Sequence, residues 1–236
     1  MEIVVSEKPP QGFDASLTVP SGYARDDLVS DLRSVLDSIK EVNSGIQHIQ
    51  VWIENAHEID SELLDNLQLE PYRDLLQLRC GLPPQSEALP TRNFIKGVDE
   101  KAFLEVNRRA FAWHPEQGNL TAADLSDLFE EDWFDEDGFL LYDIGQQLAG
   151  FCWTKIHGNG RGAIGEIFAI AVDPDFHGQG IGKPLTVSGL NHLASKGITT
   201  GMLYVEADNA AAIHIYRQIG FSEFSRNRAF RMRIPN

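Results

Sequence analysis

The run GEIFAIAVDPDFHGQGIGKPL, from Gly165 to Leu185, holds a strand, a turn and the start of a helix. Ile167, Ala169 and Ala171 alternate with their neighbours, the period of a strand with one buried face. Asp173-Pro174 stops it, and His177-Gly178-Gln179-Gly180-Ile181-Gly182 turns into a helix that continues through Lys183. Gly178, Gly180 and Gly182 leave the backbone N–H groups uncovered, and the helix behind them adds its positive N-terminal end. Such a nest holds phosphate through neutral donors, so it works even in an acidic protein. The run lacks the Lys-Ser/Thr ending of a nucleotide P-loop. It also lacks the acidic ribose contact that follows a dinucleotide-binding glycine motif. A plain glycine turn is the remaining alternative.

Upstream, Thr91–Lys96 reads as a strand and Asp99–Phe111 as a helix, with Phe103, Val106, Ala110 and Phe111 near helical spacing and Asp99 as N-cap. His114-Pro115-Glu116-Gln117-Gly118 is a loop. Thr121, with Asp124 three residues on, opens a second helix to Glu131 in a near capping box. Strands at Gly138–Ile144 and Gln147–Ile156 flank Gly145-Gln146, a weaker hairpin signal than Asn-Gly. The strand entering the glycine loop begins at Ala163. Downstream come a helix from Gly182 to Ser195 closed by Gly197, a strand at Thr200–Val205, a helix at Asn209–Gln218 and a last strand near Arg228–Arg233. This order predicts one mixed α/β sheet.

Three prolines and a glycine between Gly81 and Pro90 cannot sustain a helix or a central strand. The expected division is therefore residues 1–82, a linker at 83–90, and 91–236. The first part repeats the last weakly: Leu17–Pro20, Val51–Ile53 and LLQLRCGLP line up with Ile170–Pro174, Leu203–Val205 and AFRMRIP. Where the second copy has His177 to Gly182, the first has Tyr23-Ala24-Arg25-Asp26-Asp27-Leu28. Acidic residues replace glycines there, so the first copy should not bind the anion of the second.

The 236 residues suit one to two domains, and 42% hydrophobic with 23% charged residues suits a chain that buries a core. No apolar run approaches the roughly 18 residues of a membrane span, and the N-terminus lacks a signal-peptide pattern. A cytoplasmic protein is expected. The net charge of −15 argues against nucleic acid and anionic lipid as partners. Cys80 and Cys152, both in apolar strand contexts, read as buried thiols with neither a disulfide framework nor a metal site. His114, His157 and His192 lack ligand spacing and are expected to be surface or structural.

A second motif, Asn209-Ala210-Ala211-Ala212-Ile213-His214-Ile215-Tyr216 followed by Gly220-Phe221, begins 27 positions after Gly182, beyond a strand. The glycine loop, the strand and this N-x-x-A-x-x-x-Y-x-x-x-G-F pattern together resemble the GCN5-related N-acetyltransferase (GNAT) family over residues 91–236. The resemblance implies an acyl-CoA N-acyltransferase fold, a mixed and mostly antiparallel sheet flanked by helices, preceded here by a degenerate half-repeat. It implies acetyl-CoA as co-substrate and no metal. Ile170, Ala171 and Val172 should line the pantetheine arm, His177 through Lys183 the pyrophosphate, and Asn209 through His214 the other side of the cofactor. His177 stands where the family carries Gln or Arg, so one side-chain contact is lost while the backbone donors remain.

FAWHPEQG (residues 111–118), FCWTK (151–155), Gly165-Glu166 and LYVEADN (203–209) further resemble the mycothiol synthases, a two-repeat branch of that family. That branch acetylates the cysteinyl amine of a cysteinyl-glucosaminyl-inositol, desacetylmycothiol. The resemblance implies Glu166 as base and substrate contact, Tyr216 as the acid for the CoA sulfur, and Glu116, Lys155 and Tyr204 as further substrate contacts. A small-molecule acceptor and a monomer are expected. A protein N-terminus or another small amine is the alternative acceptor.

Overall fold

The computed structural model describes residues 3–6, 9, 12–23, 25–42, 45–56, 67–112 and 117–233. In chain order its elements are β1 (Val4–Val5), β2 (Ala15–Val19), α1 (Arg25–Val42), β3 (His48–Ile53), β4 (Glu70–Gly81), β5 (Arg92–Asn93), α2 (Glu100–Ala110) and α3 (Ala122–Phe129). There follow β6 (Phe139–Ile144), β7 (Gln147–His157), β8 (Ile164–Val172), α4 (Gly182–Ser195), β9 (Thr200–Glu206), α5 (Ala210–Ile219) and β10 (Ser222–Arg233). The described residues form two compact units, one from 1–77, 205–208 and 223–236, the other from 78–204 and 209–222.

The first unit orders its strands β1-β2-β3-β10-β4. β2 and β3 run parallel, Ala15 opposite Ile49 through Val19 opposite Ile53, and α1 connects the two. Leu28, Leu32 and Leu36 recur every four residues on α1, a stripe that buries against Leu17, Val19, Ile49 and Val51. β10 lies antiparallel to β3 from Arg228↔Ile53 to Arg233↔His48, and its Phe230 and Met232 complete that core.

The second unit orders its strands β4-β9-β8-β7-β6-β5. β5, β6, β7 and β8 are antiparallel neighbours, whereas β8 and β9 are parallel. Its core is aromatic. Phe139 stacks on Trp153 with centroids 4.3 Å apart, and Phe103 of α2 sets its edge to Phe139 and Phe151 at 4.9 and 4.7 Å. On the other face α4 approaches closely because Gly189 has no side chain. A Cβ there would stand 2.4 Å from Cys152 Sγ and 2.8 Å from Ile167 Cδ1. Both cysteines are buried and free.

Local signals hold where short-range chemistry decides. The capping box is complete: Thr121 Oγ1 accepts from the Asp124 N–H and the Asp124 carboxylate accepts from the Thr121 N–H. The hairpin pairs Ile144 with Gln147 across Gly145, whose φ is +65°. Three expectations change. The strand at Thr91–Lys96 shrinks to Arg92–Asn93, since the Ile95 N–H turns to the Asp99 carboxylate, 2.8 Å away. Asp99 precedes α2 but makes no side-chain cap, because its carboxylate also accepts from Arg92 at 2.7 and 3.0 Å. The last strand begins at Ser222 rather than near Arg228.

Candidate active site

The β7–β8 ladder slips between Trp153 and Thr154: Trp153 faces Ala169 and Thr154 faces Ile167, leaving Phe168 as an extra residue. The bulge reverses the alternation of β8. Before it, Gly165 and Ile167 face α4, where Leu193 and Gly189 crowd them. After it, Ala169 and Ala171 join the aromatic core on the opposite face. The parallel ladder to β9 runs only from Gly165↔Gly201 to Ile167↔Leu203. From Phe168 onward, through Ile170, Ala171 and Val172, that edge of β8 carries no further rung to β9, and the Val172 carbonyl accepts instead from His177 Nε2.

At the end of β8 the chain turns through Pro174–Phe176, with the buried Asp173 carboxylate accepting from the Asp175 N–H at 2.9 Å. Arg109, from the last turn of α2, clamps both carboxylates, 3.1 Å from Asp173 and 2.8 Å from Asp175. Gly178 and Gly180 adopt φ of +78° and +75°, with open space where a Cβ would point, so backbone conformation demands glycine there. Ile181 precedes α4 without any side-chain cap. Among the described residues no protein group accepts from the N–H groups of 178–183. These donors lie at a helix N-terminus on an exposed loop, the arrangement that takes a phosphate. His177 folds back, its Nε2 donating to the Val172 carbonyl at 2.9 Å, and so braces the loop.

α5 begins at Asn209, whose Oδ1 accepts from the Ala212 N–H at 3.1 Å, and ends at Gly220 with φ +113°. Ile215 Cδ1 lies 3.6 Å from where a Cβ of Gly182 would stand, which brings α5 alongside the start of α4. Along α5, Ala210, Ala211 and His214 are exposed while Ile213 turns into the core. Tyr216 is buried against Phe221, ring centroids 5.8 Å apart. Burial, with Cys152 nearby, pushes its phenol well above the usual range, so it stays a neutral O–H donor.

Glu166 is buried on the face of β8 opposite α4, directly across from Lys155 of β7. The Lys155 ammonium lies over the rings of Trp133 and Phe168, 4.4 and 5.5 Å from their centroids. Tyr204, one residue past the last β8–β9 rung, is exposed. Glu116 lies outside the described residues, as does His114. His192 bonds Asp135 at 3.0 Å, a structural contact. His157 places its Nε2 2.5 Å from Glu166 Oε2. Its i+2 position after Lys155 on β7 was the available signal, but it becomes one only when the β8 register is known. Arg109 was equally silent in the sequence. No group of three or more metal-type side chains converges among the described residues, and no helix there is long and apolar enough to cross a membrane.

The model of the acetyltransferase (GNAT) family matches residues 103–221, and the chain belongs to that family. It is 42% identical over 182 residues to the mycothiol acetyltransferase of Streptomyces coelicolor, an overlap of 74% of this chain and 58% of that protein. With the mycothiol acetyltransferase of Pseudarthrobacter chlorophenolicus it shares 37% over 231 residues, 94% of this chain and 70% of that one. The first-matched relatives are longer, and the chain spans about three-fifths of their length. Among solved structures, a GCN5-related N-acetyltransferase from Sphaerobacter thermophilus superposes with TM-score 0.72 at 21% identity, covering 94% of this chain and 74% of that one. A tandem GNAT protein from the clavulanic acid biosynthesis pathway gives 0.61 at 14%, covering 94% and 76%. The fold is thus that of the GNAT enzymes.

Proposed function

We propose that the chain is an acetyl-CoA-dependent N-acetyltransferase of the mycothiol synthase kind, acting on the cysteinyl amine of desacetylmycothiol. The observation that carries the reading is the end of the β8–β9 ladder beside Glu166, leading straight into a loop whose N–H groups have no acceptor among the described residues. A pantetheine arm fits the edge at Ile170–Val172 and a pyrophosphate fits the N–H groups from Gly178 to Lys183, with α5 from Asn209 to His214 alongside. The names of the relatives supply the acceptor.

The acceptor enters as an ammonium. An α-amine titrates near 7.7–8.0, so a base has modest work at neutral pH, and alignment supplies most of the rate. Glu166 takes one proton, the neutral nitrogen attacks the thioester carbon, and a β8 N–H steadies the developing oxyanion. As the C–S bond breaks, Tyr216 gives its proton to the sulfur. The surplus proton on the new amide nitrogen replaces it, and the Glu166 proton leaves to solvent. Lys155, Tyr204 and Glu116 are assigned to the hydroxyl-rich acceptor. We assign residues 1–82 to a half-repeat without cofactor and 91–236 to the catalytic domain, joined through 83–90, in a monomeric cytoplasmic enzyme.

The test is incubation with acetyl-CoA and desacetylmycothiol, beside a peptide amine, following free CoA and product mass. Acetylation of the thiol precursor is the expected result. Transfer to the peptide alone would keep the chemistry and overturn the acceptor.

A further inference from the structure

Directly opposed residues of an antiparallel pair raise their side chains on one side of the sheet, and so do residues two apart along a strand. Lys155 is opposite Glu166, and His157 is two residues beyond Lys155, so all three share a face. From that diagonal position His157 Nε2 reaches Glu166 Oε2 at 2.5 Å. The two ends differ: the Glu166 side chain is 10% exposed and the His157 side chain 41%. A carboxylate only accepts, so the imidazole nitrogen at that contact carries the proton. Lys155 does not compete, since its ammonium is held over the Trp133 and Phe168 rings and no ion pair among the described residues joins it to Glu166.

Resting on the assignment of Glu166 as base, we propose that His157 is its positioning residue. The Nε2–H···Oε2 bond fixes the rotation of the carboxyl group and holds its second oxygen toward the acceptor amine. A carboxylate this buried needs such a donor, because an unpaired one is strongly disfavoured away from water. His157 itself touches neither substrate and acts only through Glu166.

Steady-state kinetics with acetyl-CoA and the acceptor amine on four variants test this. His157→Phe should lower kcat at least tenfold and leave the acetyl-CoA KM within twofold. His157→Gln, whose amide N–H can reach the same oxygen, should recover most of the loss. In a Glu166→Gln background His157→Phe should add less than a twofold effect. If the Phe variant does not fold, His157→Ala at this strand end replaces it. An active wild type with an unaffected His157→Phe, or a full further loss in the Glu166→Gln background, overturns the proposal alone. A wild type that transfers acetyl to no amine overturns the assignment of Glu166 and this proposal together.

Discussion

Gly189→Ala should lower stability and loosen the grip on acetyl-CoA. The added Cβ would lie 2.4 Å from Cys152 Sγ, 2.8 Å from Ile167 Cδ1 and 3.3 Å from Thr154 Cγ2. Ordinary carbon contacts are about 3.5–4.0 Å, so α4 must lift by roughly 1 Å or its neighbours must give way. Cys152 and Ile167 are both buried and have no solvent to swing into. Overpacking of this kind costs about 1–3 kcal/mol, and two rigid neighbours put it near the upper end. Replacing a mid-helix glycine returns about 1 kcal/mol, leaving a net loss of about 2 kcal/mol. For a chain of this size that lowers Tm by about 4–8 °C, read by calorimetry. Because α4 starts at the glycine loop, the same lift should raise the acetyl-CoA KM severalfold. Cys152→Ala makes room for the new methyl, so the double variant should be more stable than the sum of the two losses by about 1 kcal/mol. A Gly189→Ala protein melting at or above wild type, or strict additivity with Cys152→Ala, would refute this account of how α4 seats.

Arg109→Met takes the cation from the buried Asp173 and the exposed Asp175 beside the anion loop, so the acetyl-CoA KM should rise about fivefold or more with kcat little changed, and Asp175→Asn in that background should restore part of it by removing one negative charge; an unchanged KM counts against the clamp. Tyr216→Phe should lower kcat about tenfold while calorimetry finds acetyl-CoA affinity within twofold, and full activity would remove the acid. Since burial raises the Tyr216 pKa, the donor form persists above pH 10, where an exposed tyrosine ionises, so wild-type kcat should show no fall from phenol ionisation up to that pH. Burial pushes the Cys80 thiol up to about 11 and Cys152 up to about 12. Neither should react with an aromatic disulfide reagent at pH 8 until the protein is unfolded, when both should; fast labelling of the native chain would contradict their burial.

The sequence by itself determined what is written in neighbouring residues. The Thr121–Asp124 box, the Gly145 turn, the order of strands and helices and the glycine loop after β8 all rest on contacts within a few positions, where periodicity and backbone preference act. The two motif halves also point to the family by residue type and spacing alone. Only the tertiary structure decided how distant side chains meet. Asp99 became a partner of Arg92 instead of a cap, β10 began six residues early, and one bulge at Phe168 set which face each β8 side chain takes. The pairing of His157 with Glu166 and the clamp of Arg109 on Asp173 and Asp175 belong to the same class. A register shift of one residue moves every side chain beyond it to the other face, and no local pattern in either strand records which register its neighbour will impose.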